Sequence, residues 1–334
     1  MQLSIRYDMR APGFGTPPAD LYRAVRDQAA WADRVGCHAV YLGEHHGADD
    51  DYLPSSMVLG ASLATVTGRL RIHLSALVAV LHDPIRLAED LAVLDLVSNG
   101  RVDATLGMGY RPHEWAMFGL DGATRAERLE EVFRILPIAW TGEPFEYRGT
   151  TVTVRPRPVQ RPGPPLYFGT TTPAAARRAA RMGVPINPTN PAMFDVYEAE
   201  LDALGKPAPS GPRPPTKLDM QFLYVTDDPD RDWPIVAPHV LHTNNSYARW
   251  AQERAGVTTG FALLDGIDDL KAHARTHVLT ADECIAYLTS LGPDVEMVIQ
   301  PMVSGLDPDV AMAGLGRLEH EVLPALGRAG LWPA

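Results

Sequence analysis

The sequence predicts an α/β fold, specifically a (β/α)₈ barrel with inserted segments, as a single domain over residues 1–334. Short apolar strand-like runs alternate with helical segments, which is typical of parallel strands joined by helical crossovers. About eight such units fit this length, and α/β barrels commonly exceed 250 residues as one domain. The Rossmann fingerprint is incomplete, because Gly107 and Gly109 are followed by Pro112 where a third glycine is required.

The predicted strands are short and rich in branched apolar residues. We predict strands at Leu3–Tyr7, Ala39–Leu42, Leu70–Leu77, Val102–Leu106, Leu166–Phe168, Val184–Ile186, Asp219–Val225 and Val295–Gln300. A β-hairpin is predicted where Phe145–Tyr147 and Thr151–Val154 flank the Arg-Gly-Thr turn.

Apolar residues at helical spacing predict the helices between these strands. We predict helices at Ala19–Val35, Ser56–Thr67, Pro84–Ser98, Arg125–Trp140, Pro173–Met182, Ala192–Leu204 and Pro308–Leu326. Residues 206–217 contain five prolines and predict a loop or linker. The stretch Asp227–Thr280 shows no clear period, so an insertion or loop region is expected at about residues 187–280.

Composition excludes several classes of function. Lys and Arg total 30 against 41 Asp and Glu, a net charge of −11, which argues against nucleic-acid binding and against docking on anionic membranes. The N-terminus lacks a signal-peptide pattern, and the longest apolar run, Leu74–Leu81, is too short to span a bilayer. Cys37 and Cys284 have no cysteine or histidine at metal-site spacing, so a reducing, cytoplasmic location is expected.

An acid and two histidines follow the second predicted strand without a spacer. Glu44, His45 and His46 stand at its carboxyl end, where α/β barrels place their active sites. Histidine is the side chain best suited to proton transfer near neutral pH. His46 faces the opposite side from His45, because adjacent strand residues alternate. We therefore expect His45 to be functional and Glu44 to support an imidazole or an arginine.

Four blocks carry a resemblance to a known family. They are Tyr41–Gly47 (YLGEHHG), His82–Asp90 (HDPIRLAED), Leu94–Arg101 (LDLVSNGR) and Phe168–Ala175 (FGTTTPAA). In sequence and in order, these blocks resemble the bacterial luciferase-like family of flavin-dependent oxidoreductases. The resemblance covers about the first 185 residues, and the remainder is similar only loosely.

The resemblance implies a reduced flavin, FMN or the deazaflavin F420, at the carboxyl face of the barrel. FMN-dependent members are typically oxygenases supplied by a partner reductase, whereas F420-dependent members transfer hydride. His45 matches the family's catalytic histidine, with the role of general acid/base. The family also carries a non-proline cis peptide under the flavin ring, which we expect between Ser75 and Ala76. Gly107 and Gly109 would let the flavin approach the backbone.

A phosphate site is expected where Gly169, Thr170, Thr171 and Thr172 precede the helix at Pro173. Helix N-termini carry unpaired N–H groups and partial positive charge. The family more often has Gly-Gly-Ser-Ser here, and the alternative is simple N-capping by Thr172.

Arg125 matches a phosphate-contacting arginine of the family, and the alternative is an exposed arginine on a helix surface. Three residues just past the fourth strand are expected to line a substrate pocket: Tyr110, Arg111 and His113.

The favoured function is a reduced-FMN-dependent monooxygenase acting on a small organic substrate, with F420-dependent hydride transfer as the near alternative. A metal-dependent hydrolase is a distant one, because the first strand lacks the HxH pattern and the pair His239 and His242 lacks an adjacent acid. No metal site is therefore expected. A non-catalytic flavin-binding subunit is disfavoured by the retained His45. By resemblance we expect a homodimer or higher oligomer formed through the second and third helices.

Overall fold

The chain forms two compact units. The computed structural model describes residues 1–208, 216–253 and 260–333. One unit comprises Met1–Tyr41, Ala48–Leu53 and Arg213–Ala334, and the other comprises Leu42–Gly47 and Pro54–Pro212. Parts of the predicted linker and of the stretch without a period, residues 209–215 and 254–259, lie outside the described residues.

The strands are short, as predicted. In chain order they are β1 (Gln2–Tyr7), β2 (Ala39–Leu42), β3 (Arg71–Leu77), β4 (Val102–Leu106), β5 (Phe145–Tyr147), β6 (Thr150–Val152), β7 (Leu166–Thr170), β8 (Ile186–Pro188), β9 (Thr216–Val225), β10 (Thr276–Leu279) and β11 (Val295–Ile299). The predicted hairpin is β5–β6. The eight other predicted strands are β1–β4, β7–β9 and β11, whereas β10 was not predicted.

Helices alternate with the strands. They are α1 (Pro18–Val35), α2 (Ser56–Ala64), α3 (Pro84–Ser98), α4 (Pro112–Met117), α5 (Arg125–Ala139), α6 (Pro173–Met182), α7 (Ala192–Ala203), α8 (Pro229–Gln252), α9 (Ile267–Ala272), α10 (Ala281–Leu291), α11 (Pro308–Arg317) and α12 (Leu323–Arg328). A π-helical turn at Leu318–Val322 divides the predicted closing helix into α11 and α12. No helix in the described ranges is long and apolar enough to cross a membrane.

The first unit has the spatial strand order β10-β9-β11-β1-β2. Its pairs β10–β9, β9–β11 and β11–β1 are parallel, and Ile5 lies opposite Ile299. Because β1 and β11 run in the same direction, their carboxyl ends share one edge of the sheet. Helix α1 begins with Pro18 at its first position, one residue before the predicted start. Gly36 follows its last residue with a left-handed φ of 90°, which suits a glycine C-cap.

The stretch Asp227–Thr280 contains regular structure that sequence periodicity did not reveal. Helix α8 has 24 residues and carries Pro234 and Pro238 in its interior. Proline removes a helical hydrogen bond and usually ends a helix, so the pattern argued against a helix here. Strand β10 has only four residues, which is too short for a clear alternation.

The second unit has the order β3-β4-β7-β8, with every pair parallel. Ser75 lies opposite Thr105, and Thr105 lies opposite Tyr167, so these side chains share one face. Helix α2 packs closely on the other face, because a Cβ added at Gly60 would lie 3.2 Å from Ile72 Cγ2. The carboxyl ends of β3, β4 and β7, together with the loops that follow them, lie at one edge and carry most of the predicted site residues.

Several boundaries in this unit differ from the sequence prediction by one to three residues, and two of them are at α2 and β8. Helix α2 ends at Ala64 rather than Thr67. Strand β8 begins at Ile186 rather than Val184, because the left-handed Gly183 ends α6 and the Val184 N–H still bonds back to Ala179 O at 3.2 Å. Pairing with β7 starts only one residue later, where Pro185 O accepts from the backbone of that strand.

Candidate active site

The imidazole of His45 is held by a buried carboxylate. His45 Nδ1 lies 2.7 Å from Glu114 Oε1, and the His46 backbone N–H donates to the same oxygen at 3.0 Å. Glu114 is the third residue of α4 and is 0% exposed. Glu114 could not be predicted from the sequence, because it lies 69 residues from His45 in a six-residue helix that was not predicted.

The charge on Glu114 fixes the orientation and tautomer of His45. Burial raises the pKa of Glu114, but the hydrogen bond and charge of His45 and the His46 N–H outweigh burial, so the pKa is lowered. An ionised carboxylate can only accept hydrogen bonds, so His45 carries a proton on Nδ1. Nε2 is then the acceptor nitrogen of the neutral ring.

Glu44 has a different set of partners from Glu114. Its carboxylate lies 3.2 Å from His46 Nε2 and 3.6 Å from His82 Nε2, and it accepts from Ser56 Oγ at 3.0 Å and from the Val78 N–H at 3.3 Å. Burial raises the pKa of Glu44, but the hydrogen bond from His46 and the nearby His82 ring lower the pKa to about 2. Glu44 therefore ties the loop after β2 to the loop after β3 and supports two imidazoles.

The structure brings two of the three predicted substrate residues to His45. The Tyr110 ring packs edge-on against His45 with 5.4 Å between centroids. Arg111 is buried, and its guanidinium lies 3.8 Å from Glu114 Oε1 and 3.5 Å from the His46 carbonyl. His113 is exposed on α4 and lies beside Gly47.

The predicted cis peptide between Ser75 and Ala76 is confirmed. The backbone after β4 approaches it closely, because a Cβ added at Gly107 would lie 3.3 Å from Ala76 Cβ. Gly109 has φ of 65°, and a Cβ there would meet Val78 Cγ1 at 3.0 Å. Glycine is therefore required at 109 for both conformation and space.

The threonines at the end of β7 and after it have separate environments. Thr172 caps α6, because its side chain accepts from the Ala175 N–H at 3.3 Å, so the capping alternative is confirmed for this residue. Thr171 is exposed. Thr170 is 1% exposed, and its Oγ1 has no hydrogen-bond partner in the part of the chain that the structure describes. A buried hydroxyl beside a helix N-terminus fits an anionic group such as a flavin phosphate.

Arg125 rests on an aromatic ring rather than on an open helix surface. Its guanidinium lies 5.0 Å from the Trp115 ring centroid, and it also bonds the Gly122 carbonyl. Trp115 Nε1 donates to Met108 O at 3.2 Å, within the Gly107–Gly109 turn. Arg125 is therefore positioned through Trp115 next to the backbone that faces Ala76.

Another histidine, His73, lies on the sheet face of the second unit that carries Ser75. His73 Nε2 is 2.7 Å from Thr105 Oγ1, and Asn187 Nδ2 donates to that hydroxyl at 2.7 Å. The Tyr167 ring stacks on His73 at 5.7 Å. These residues lie on β3, β4, β7 and β8, so the face that carries Ser75 is polar. No sequence pattern indicates these residues, because each is isolated within its own short strand.

The two-histidine pattern on α8 is structural. His239 Nδ1 bonds Ser304 O at 2.8 Å, and His242 Nε2 bonds Asp50 Oδ2 at 2.7 Å. Among the described residues, no group of three or more His, Cys, Asp or Glu is placed to hold a metal.

The α/β scaffold, the imidazole held by a buried carboxylate and the threonines before α6 agree with what the family resemblance implies. The family model of luciferase-like monooxygenases matches residues 1–279, and the chain belongs to this family. The predicted family, the luciferase-like α/β fold and the predicted class of enzyme are thereby confirmed.

A curated relative and two solved structures are similar to this chain. The chain is 26% identical to the oxygenase component of a flavin-dependent trigonelline monooxygenase from Acinetobacter baylyi over 264 residues, 76% of this chain and 72% of the relative. The oxygenating constituent of 3,6-diketocamphane monooxygenase from Pseudomonas putida, in complex with FMN, shares the fold with a TM-score of 0.74, 16% identity and coverage of 97% and 98%. An F420-dependent secondary alcohol dehydrogenase shares it with a TM-score of 0.64, 15% identity and coverage of 97% and 98%.

Proposed function

We propose that this protein is a reduced-FMN-dependent monooxygenase that acts on a small organic substrate, with His45 as general acid/base. The observation that carries the proposal is the 2.7 Å contact between His45 Nδ1 and the buried Glu114 carboxylate. An imidazole held in this way presents one defined nitrogen to a reacting molecule. Glu114 is a positioning residue in this proposal, since it acts through His45.

The described residues fit a flavin at the edge formed by β3, β4 and β7. The residues proposed to hold its ring and its phosphate are Ser75, Ala76, Gly107, Gly109, Arg125, Gly169, Thr170, Thr171 and Thr172. The closely approaching glycines leave backbone surface for a planar ring. Thr170 Oγ1 offers a buried donor for a phosphate oxygen. Bound reduced flavin would supply the two electrons that activate dioxygen.

His45 has one chemical task in this proposal, the movement of a proton through Nε2. When His45 takes a proton, the ionised Glu114 stabilises the imidazolium through the Nδ1–H hydrogen bond. When His45 returns the proton, the same bond keeps the ring in place. Tyr110, packed on His45, and Arg111, next to Glu114, are proposed to border the substrate, together with His113 at the exposed side.

A separate flavin reductase is the proposed partner. One relative is described as an oxygenase component, which implies that another protein reduces its flavin. We propose a cytoplasmic location for both proteins, supported by Cys37 and Cys284, which are buried and not in a disulfide.

A homodimer through α2 and α3 is also proposed. Val93, Leu96 and Val97 on α3 are 47%, 42% and 46% exposed, and Val58 on α2 is 71% exposed. Spacing of three and four residues places the α3 side chains on one helix face. An apolar stripe is complementary to a copy of itself, as a twofold interface requires.

F420-dependent hydride transfer is the second candidate, because an F420-dependent enzyme shares the fold. Reconstitution of the protein with each cofactor distinguishes the two candidate functions. We expect the purified protein to bind reduced FMN, as measured by equilibrium dialysis under anaerobic conditions, and to bind F420 at least about tenfold more weakly. Tighter binding of F420 would favour hydride transfer, and binding of neither would contradict both candidates.

A further inference from the structure

Unsatisfied polar atoms are concentrated at the carboxyl ends of β1 and β11 in the first unit. Gln300 directly follows β11 and is 2% exposed, and neither Nε2 nor Oε1 has a hydrogen-bond partner among the described residues. Asp8 directly follows β1 and is 0% exposed, and its Oδ2 likewise bonds to no described residue. Buried amides and carboxylates are ordinarily satisfied, so this pair calls for a partner.

The two residues belong to one edge of the sheet. Ile5 lies opposite Ile299 in the parallel β1–β11 pair, so Gln300 and Asp8 both emerge where these strands end. The backbone of Gln300 is fixed, because its N–H donates to Gln221 O at 3.0 Å. Ligands of parallel α/β folds bind at this end of the strands.

The neighbouring cation does not complete the site. Arg10 is fully buried, pairs with Asp50 and lies 3.5 Å from Asp8 Oδ2 without the alignment of a hydrogen bond. Its guanidinium lies 4.3–5.0 Å from the centroids of three rings, Tyr52, Tyr247 and Trp250. Two carboxylates and three ring faces offset the Arg10 charge, although its Nε and Nη2 bond to no described residue. The unpaired Asp8 oxygen repels an anion, so the site favours a neutral ligand.

Gln300 and Asp8 together define which chemical group would form hydrogen bonds with both side chains. A glutamine amide presents an N–H donor beside a carbonyl acceptor, and a carboxylate presents acceptors only. The complementary group has a C=O next to an N–H. We propose that the carboxyl ends of β1 and β11 form a binding site for a neutral carboxamide or lactam group, read by Gln300 and Asp8.

The test uses two probes of the same ring size. 2-Pyrrolidinone carries C=O beside N–H, and cyclopentanone keeps the carbonyl but has CH₂ in place of N–H. We expect ligand-observed NMR titration of the full chain, without flavin, to show binding of 2-pyrrolidinone at least about tenfold tighter than binding of cyclopentanone. Equal binding of the two probes, or binding of neither, would overturn the proposal and leave ordered water as the occupant.

Two variants test whether 2-pyrrolidinone binds at Gln300 and Asp8. Gln300→Leu is expected to weaken 2-pyrrolidinone binding at least about tenfold, and Asp8→Asn should also weaken it. The control is Gln28→Leu, because Gln28 is another fully buried glutamine but lies on α1, where Tyr7 Oη donates to it at 2.8 Å. Unchanged binding in Gln300→Leu would contradict the site. If that variant does not fold, the wild-type comparison of the two probes decides, and because no flavin is used, the outcome is independent of the proposed oxygenase function.

Discussion

At the residue scale, the central feature is the pairing of each histidine after β2 with its own carboxylate. Glu114 holds His45 at 2.7 Å, and Glu44 holds His46 at 3.2 Å. The two carboxylates are not interchangeable, because only Glu114 contacts the imidazole that matches the family's catalytic position. Glu44 instead connects two loops.

Replacement of His45 tests the proposed acid/base role. We expect His45→Gln to lower turnover by about 10²–10⁴-fold, the usual contribution of general acid/base catalysis, with FMN affinity unchanged. Steady-state oxygen consumption with reduced FMN and a responsive substrate measures turnover, and equilibrium dialysis measures FMN affinity. His38→Gln is the matched control, because His38 is exposed on the surface. Intact turnover in His45→Gln would favour a non-catalytic flavin-binding subunit.

The variant Glu114→Gln tests whether His45 depends on the charge of Glu114 or only on the space that its side chain fills. The variant keeps the shape of the side chain but loses the charge that stabilises a protonated His45. We expect a lower kcat, a shift of the acidic limb of the kcat–pH profile and little change in KM. A fall in stability alone, with an unchanged pH profile, would assign Glu114 a purely structural role.

The lowered pKa of Glu44 predicts that the folded protein loses stability at acidic pH. Its pKa falls from an ordinary 4.5 to about 2, so its stabilising contribution is present above about pH 4.5 and is lost as the pH falls towards 2. A depression of this size corresponds to about 3 kcal/mol of unfolding free energy. Urea unfolding between pH 6 and pH 3 should show a smaller loss of stability in Glu44→Gln than in the wild type, and parallel profiles would refute this assignment.

At the element scale, the threonines between the end of β7 and the start of α6 have two roles, a helix cap and a proposed phosphate contact. Thr172 caps α6, whereas Thr170 Oγ1 is buried without a partner in the described chain. The sequence could predict that this loop precedes a helix, because Pro173 marks its first position. It could not decide which hydroxyl faces inwards, because that depends on the twist of β7 relative to its neighbours.

Thr170→Val is expected to weaken FMN binding about tenfold without loss of stability. The hydroxyl makes no bond to lose in the described protein, and valine has nearly the same shape, so the unfolding free energy should stay constant or rise slightly. Thr276→Val is the matched control, because Thr276 in β10 is 5% exposed and its Oγ1 also bonds to no described residue. Dialysis and urea unfolding measure the two effects, and equal FMN affinity in both variants would rule out Thr170 as a phosphate contact.

Elements with strong periodicity were predictable, and the others were not. Strands β2 and β4 and helix α6 have the predicted bounds. Helix α4, which supplies Glu114, has only six residues, fewer than two helical turns, and so carries little periodic signal. Helix α8 keeps its helical path through two prolines, because packing against the rest of the first unit compensates for the hydrogen bonds they remove.

At the scale of the whole molecule, the exposed stripe on α3 predicts the assembly. We expect the wild type to be dimeric by light scattering at micromolar concentration, and Val97→Glu to be monomeric, because a charge at the centre of an apolar interface is costly to bury. Val159→Glu is the control, since Val159 is 43% exposed outside the helices. A monomeric wild type, or a dimeric Val97→Glu, would contradict the proposed interface.

The sequence by itself determined the alternation of strands and helices, the position of His45 at the end of a buried strand, and the family. These properties depend on local periodicity and on short motifs, which are read within a few neighbouring residues. Tertiary structure alone decided which residues meet. It placed Glu114 against His45, buried the Thr170 hydroxyl, and brought Gln300 and Asp8 to one edge of the sheet. Each of these depends on residues brought together from distant parts of the chain by parallel strand pairing and helix packing, which no local pattern encodes.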